Sequence, residues 1–281
     1  MSKWALAIVM CLAAPVSQAA DLKIATWNLN WLTAREGGLP ADVKIRQPED
    51  FDQLHTYATE LDADVIAIQE VDNAETAERL FLHDQYSIQM SRDRVRQRVG
   101  IAVRRGIPYD VFPDVTALAL DPAAHLRGGV DIALRLPAGP LRILAIHLKQ
   151  GCNYATFGKN PRMVCTTLMA QYDVMTQWIA ARRDEGAAFL VLGDFNRDMD
   201  KLDPFVTKIQ SVVPLTRATE GYTSPCWGHE SFIDHILLGG PARDWVKPNS
   251  FRVLTYRETD PAWKERLSDH CPISIHLTVP D

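Results

Sequence analysis

Phe189-Leu-Val-Leu-Gly-Asp-Phe-Asn196 is the stretch that decides how this 281-residue chain reads. It is an apolar run that stops at a carboxylate and an amide. Consecutive apolar residues predict a strand buried on both faces. Such a strand ends in Asp194 and Asn196 cheaply only if they face solvent, a metal or each other. Gly193 lets the backbone turn closely beside them, and Asn196 adds a neutral oxygen where a second carboxylate would overcharge a pocket. An Asp/Asn turn after a strand produces the same residues without any function. The functional reading therefore rests on whether the pattern recurs.

It recurs along the chain. Residues 22–29, Leu-Lys-Ile-Ala-Thr-Trp-Asn-Leu, predict a strand ending at Asn28, and residues 64–70 predict a buried one ending at Glu70. Ile143-Leu-Ala-Ile-His147 delivers an imidazole from an apolar run. Asp234 lies in a predicted strand over 232–238, and Asp269-His270 precede the last one, 272–277. Further strands are expected over 86–90, 99–104 and 129–136. Helical spacing of Phe51, Leu54, Tyr57, Ala58 and Leu61 predicts a helix over 48–62. Others are expected over 75–83 and, with Leu168, Tyr172, Met175 and Ile179 on one stripe, over 166–183. Strands and helices alternate without a repeat or linker, so 21–281 reads as one α/β domain.

The N-terminus has a different character. Lys3, an apolar run from Trp4 to Ala14, Pro15 and the small-residue stretch Ser17-Gln-Ala-Ala20 have the form of a secretory signal peptide over 1–20. No second long apolar segment follows, so a secreted or periplasmic monomer without a membrane span is expected. Of five cysteines, Cys11 falls in the leader and four remain. An even number in an oxidising compartment favours disulfides, with three possible pairings. The expected one joins Cys152 to Cys165 and Cys226 to Cys271. No CxxC spacing supports zinc.

The formal charge is −5, and −6 without Lys3, so no general attraction for nucleic acid follows. Locally, Arg92, Arg94, Arg96, Arg98, Arg104 and Arg105 stand against one acid, Asp93. Their alternation predicts several arginines on one face of a strand or hairpin, either as a solvated face or in contact with phosphate.

Gathered at one end of the molecule, these polar strand ends would form a pocket of carboxylates, amides and imidazoles. Mutually close acids repel and need a cation or a proton. Oxygen-rich ligands suit Mg²⁺ or Mn²⁺, and histidines suit proton transfer. The combination describes metal-assisted phosphoester hydrolysis. The motifs Thr26-Trp-Asn28, Ile68-Gln-Glu70, Ile146-His147, Gly193-Asp-Phe-Asn196, Ile233-Asp234 and Ser268-Asp-His270 resemble, in order and approximate spacing, those of the endonuclease/exonuclease/phosphatase superfamily. The resemblance covers the chain from Asp21 onward. It implies a four-layer sandwich of two packed mixed β-sheets flanked by helices. It also implies Glu70, Asn28 and Asp269 around a metal, and Asp194 and Asn196 orienting water and phosphate. His270 would serve in acid/base chemistry or hold the phosphate, its tautomer fixed by Asp234, and His147 would be a second histidine. Arg127 would contact phosphate.

One departure concerns the DNase branch, whose second histidine is partnered by a glutamate. Gln97 stands at that place here, able to hydrogen-bond His147 but not to favour its charge. The function expected is a secreted, metal-dependent nuclease. A phosphatase or a phospholipase C-type, sphingomyelinase-like phosphoesterase is the alternative. Tyr154 and Trp227 are loop aromatics suited to packing or to contact with a base or lipid, and His235 is expected to face away from Asp234.

Overall fold

The computed structural model of the protein describes residues 20–281 other than 36, 38, 42, 122–124, 155–161, 200–202 and 229–230. The leader expected at 1–20 lies outside the described residues apart from Ala20. In chain order the first elements are β1 (Ala20–Leu32), α1 (Pro48–Leu61), β2 (Val65–Val71), α2 (Ala74–Glu78), β3 (Tyr86–Met90), β4 (Arg98–Arg104), β5 (Tyr109–Val111) and β6 (Val130–Leu136). Then come β7 (Gly139–His147), α3 (Met163–Asp184), β8 (Ala188–Asp194), α4 (Pro204–Val212), β9 (Leu215–Arg217), β10 (Asp234–Gly239), β11 (Arg252–Val253), α5 (Ala262–Arg266) and β12 (Ile273–Val279).

The strands form two six-stranded mixed sheets, ordered β11-β12-β1-β2-β4-β3 and β5-β6-β7-β8-β10-β9. Each has one parallel pair at its centre, β1 with β2 and β7 with β8. Every other pairing is antiparallel. This arrangement decides where the polar residues go. The carboxyl ends of the two parallel strands in a sheet share one edge, and their antiparallel neighbours start at that same edge. Glu70, His147 and Asp194 sit at the ends, and Asn28 sits where the pairing of β1 with β2 shifts register; Gln97, Arg127, Asp234 and His270 sit at or just before the starts of β4, β6, β10 and β12.

Side-chain alternation sets the layers. Ile24, Val65, Ala67, Ile143, Ala145, Leu190 and Leu192 pack between the sheets. Trp27, Ile66 and Ile68 face α1 and its Phe51, Leu54 and Tyr57. Leu144, Ile146, Phe189 and Val191 face α3 and α4. The result is the four-layer sandwich, helices outside and two sheets inside. The same period of two directs Asn28, His147, Asp194 and Asp234 to the inter-sheet face. Glu70 is out of step with that pattern and sits at a register shift between β2 and β4, with φ +62. The bulge re-aims its side chain.

Several elements differ from their expected extents. Strand β10 starts at Asp234, and α2 stops at Glu78 because residues 79–85 continue as turns. The short edge strands β5, β9 and β11 and the helices α4 and α5 had no readable pattern. The arginine-rich stretch is only half strand. Residues 91–97 form an irregular loop, so Arg92, Arg94 and Arg96 do not share a strand face. Both expected disulfides are present, Cys152–Cys165 and Cys226–Cys271. Among the described residues, no helix is long and apolar enough to cross a membrane.

Gly193 shows how tightly the edge is built. Its φ is +142, and a Cβ there would lie 2.0 Å from the Ile146 carbonyl oxygen of the neighbouring strand. Gly193→Ala is therefore expected to cost about 3 kcal/mol or more. Urea unfolding measures it, and an unchanged midpoint would contradict this packing.

Candidate active site

Asp194 is the centre of the site. Its side chain is almost wholly buried, and it is held by short-range donors. The backbone N–H of Asn196 donates to Oδ1 at 2.7 Å, which is possible because Asn196 turns back with φ +51. The Asn196 side-chain amide donates to Oδ2 at 3.1 Å and to the Leu148 carbonyl at 3.0 Å. From the other sheet, the Asn28 amide donates to Asp194 Oδ2 at 3.0 Å and to Glu70 Oε1 at 3.2 Å. Asn28 thus bridges the two carboxylates with N–H groups, while its own Oδ1 accepts from the Asn30 backbone at 2.9 Å.

Glu70 Oε2 accepts from the Trp31 backbone N–H at 3.1 Å and from Gln97 Nε2. Gln97 therefore serves Glu70. His147, which Gln97 was positioned to partner by its place in the sequence, has no hydrogen bond at Nδ1 among the described residues although that atom is buried. Its Nε2 lies 3.6 Å from both Glu70 Oε1 and Asp194 Oδ2, and 3.4 Å from Arg127 Nη2. Arg127 Nε also donates to the His147 carbonyl at 3.3 Å. Burial, then the positive charges of Arg127 and His270, push the His147 imidazole well below its ordinary pKa, so it is neutral.

His270 behaves in the opposite way. Its Nδ1–H donates to Asp234 Oδ2 at 2.6 Å, and its Nε2 lies 3.9 Å from Asp194 Oδ2. Burial opposes charge on this ring, but Asp234, Asp194 and Asp269 outweigh it and hold the imidazolium well above its usual range. Burial, then the negative charge of Asp234, raises Asp194 to about 7. Two imidazoles that flank Asp194, with Nε2 atoms 3.6 and 3.9 Å from its Oδ2, are thus driven to different protonation states, the pattern that separates acid from base roles.

The loop carrying His270 is fixed from several sides. Ser268 Oγ donates to the Asn28 carbonyl at 2.7 Å and accepts from the His270 N–H at 3.0 Å. Trp27 Nε1 donates to the Tyr256 hydroxyl at 2.9 Å, which donates to the His270 carbonyl at 2.8 Å. Trp227 stacks on Tyr256 and donates to the Ser268 carbonyl. Its role is packing behind the loop. Tyr256 carried no pattern in the sequence that would have revealed its place. The disulfide from Cys271 to Cys226 clamps the same loop. Asp269 is half exposed, its Oδ1 3.9 Å from His270 Nε2. His235 faces the outer layer, fully buried between Thr219 Oγ1 and the Arg197 carbonyl, and takes no part in the site.

Among the described residues, Asp194, Asp234 and His270 bring one ligand atom each within 4.8 Å of one another, a possible acidic and histidine metal site. The buried carboxylates of Glu70 and Asp194, bridged by one amide, suit a hard cation by the same chemistry. Two openings flank this centre. A cavity of about 350 Å³ at the His270 end is lined by Tyr154, Ser224, Asp234 and Asp269. A cleft of about 570 Å³ at the Glu70 end is lined by Trp31, Arg94, Arg96 and Gln97.

The sequence model of the Endonuclease/Exonuclease/phosphatase family matches residues 25–270. The chain belongs to that family. A comparison with curated protein sequences gives no match. Solved structures of similar fold include truncated TDP2 from Caenorhabditis elegans (16% identity, 92% of this chain and 98% of that one, TM-score 0.61). An AP endonuclease from Archaeoglobus fulgidus is similar at 17% identity, over 92% and 100% of the two chains, with TM-score 0.62. The 3′ phosphatase NExo from Neisseria, bound to product DNA hairpin, is similar at 17% identity over 91% and 99%, with TM-score 0.60. This member of the family is a phosphoesterase by fold, built with two disulfides.

The two disulfides differ in reach, closing separations of 45 and 13 residues. Replacing Cys226 and Cys271 by serine is expected to cost up to about 4 kcal/mol, and Cys152 with Cys165 about 3 kcal/mol. Urea unfolding of the two double variants measures both, and a smaller loss for the Cys226/Cys271 pair would contradict the clamp described here.

Proposed function

We propose that the chain is a divalent-metal-dependent phosphodiesterase acting on nucleic acid, exported behind a leader at 1–20 and working outside the cytoplasm as a single domain over 21–281. The observation that carries this reading is the continuous line of side chains Gln97, Glu70, Asn28, Asp194, His270 and Asp234, open to a cavity at each end. A diester has a substituent on both sides of its phosphorus, and a site open on both sides accommodates one. A phosphomonoester needs only one opening, which makes the phosphatase alternative the weaker account of this shape. The two disulfides fit an oxidising compartment.

Glu70 and Asp269 would hold the ion, with Asn28 keeping Glu70 and Asp194 in place. Bound Mg²⁺ or Mn²⁺ would offset charge on phosphoryl oxygens and lower the pKa of water. The protein's own groups do the rest. His270, protonated and oriented by Asp234, presents Nε2–H to a phosphoryl oxygen as charge grows there. Arg127, buried beside His147, adds a fixed positive charge close to Glu70 and Asp194. Asp194, oriented by Asn196, is placed to accept a hydrogen bond from the attacking water. Water adds to phosphorus, the ester P–O bond breaks, and the proton that the water gives up is balanced by the one the leaving oxygen takes. The products are a phosphomonoester end and a hydroxyl end.

Nicking of supercoiled plasmid by the oxidised protein in Mg²⁺ or Mn²⁺ tests the reading. Activity is expected, with loss in EDTA. His270→Ala is expected to lower turnover by at least ~10² with its circular dichroism retained. Intact plasmid together with metal-dependent hydrolysis of a small phosphomonoester would move the assignment to a phosphatase. Near-normal nicking by His270→Ala would remove His270 from the mechanism.

A further inference from the structure

The cleft at the Glu70 end has features that hydrolysis alone does not require. Of the six arginines between 92 and 105, Arg104 is committed to Asp62 and Asp64, and Arg105 to the His83 carbonyl, both at the far end of β4. Arg94 and Arg96 lie in the loop at the near end and line the cleft. Neither has an ion-pair partner among the described residues, and Arg96 Nη1 is buried without any hydrogen bond. The third element is Trp31. Asn30 and Trp31 have φ of +44 and +56, two successive left-handed residues that are not glycine. Strain of that kind persists where the surroundings impose it and is found at functional sites. Here it turns the half-buried Trp31 into the cleft wall while its backbone N–H stays on Glu70.

An aromatic face beside two uncommitted guanidinium groups matches one ligand chemistry, a base next to its phosphate. Stacking holds any base by its face, and arginine holds the backbone. The cleft wall also reaches the reaction centre directly, because Trp31 and Gln97 both donate to Glu70.

We propose that this cleft is the subsite for a nucleotide flanking the scissile phosphate, its base stacked on Trp31 and its phosphate held by Arg94 and Arg96, and that the substrate strand is unpaired there. The proposal rests on the phosphodiesterase reading above and adds the substrate class to it. A base inside a duplex has both faces covered by its neighbours, so stacking on Trp31 requires a single strand or a locally opened one.

Binding of a fluorescein-labelled 12-nucleotide oligo(dT), read by anisotropy in EDTA, tests the cleft without any turnover. Trp31→Ala is expected to weaken binding by about tenfold, within the range for loss of one base stack, and Trp31→Phe to restore most of it. Arg94→Ala with Arg96→Ala is expected to weaken binding and to reduce the salt slope by about 0.7 for each phosphate no longer neutralised. Under turnover conditions, the fall in kcat/KM of Trp31→Ala is expected to be at least about tenfold greater on the oligonucleotide than on bis(p-nitrophenyl) phosphate. Unchanged oligonucleotide affinity in both the tryptophan and arginine variants overturns the subsite. Equal loss on both substrates assigns Trp31 to support of Glu70 only and also overturns it. A blunt duplex bound as tightly as the single strand, with the same Trp31→Ala effect, overturns the unpaired-strand claim. Wild-type binding without hydrolysis of either substrate would sink the phosphodiesterase reading while leaving the cleft a nucleic-acid site.

Discussion

Burying the Asp194 carboxylate between Glu70 and Asp234 is the constraint on which the rest of the site depends. Two or three acids within a few ångströms, cut off from water, repel one another and favour a proton or a cation. The protein offsets this with neutral donors and one imidazolium. Asn28 and Asn196 donate to Asp194, the Trp31 backbone and Gln97 donate to Glu70, and His270 is held charged against Asp234. Asp194 nevertheless rises to about 7, burial first and Asp234 next. A group poised there exchanges protons easily at neutral pH, and a nearby cation would return it to the ionised state.

Bringing those acids together is a matter of topology. Each sheet has one central parallel pair with an antiparallel strand on either side, in the same order. Two carboxyl ends and two starts therefore meet at one edge of each sheet, and stacking the sheets joins the two edges. The left-handed kinks at Asn30, Trp31, Glu70 and Asn196 all lie along this seam. Regular strand geometry delivers Asn28, His147 and Asp194 to the inter-sheet face, and the kinks adjust what regular geometry leaves misaligned.

The same distinction explains what could be read from the residues alone. Runs such as 65–71, 143–147 and 189–194 are legible because a strand buried on both faces must be apolar throughout, so a polar residue at its end stands out. That the four cysteines pair was legible from compartment and count, whereas the choice among three pairings, which the structure bears out, was not fixed by either. Edge strands of two or three residues leave no such trace, and β5, β9 and β11 are of that kind. Alternating arginines at 92–98 imitated a strand, yet the charges and the turn at Gln97 are better served by a loop that reaches Glu70. The partner of Gln97 was not legible either, since the choice between Glu70 and His147 depends on a one-residue bulge. Tyr256 illustrates the limit. A lone tyrosine in a loop carries no periodicity, although it joins Trp27 to the backbone of His270.

The hydrolysis proposed for this site requires that its buried acids hold a cation. Calorimetric titration of Mn²⁺ into the metal-free protein, beside the isosteric variant Glu70→Gln, addresses that directly. Saturable binding to the wild type, weakened at least about tenfold in the variant, is the predicted result. Equal affinity in the two proteins, or no binding to either, would contradict a cation site built on Glu70.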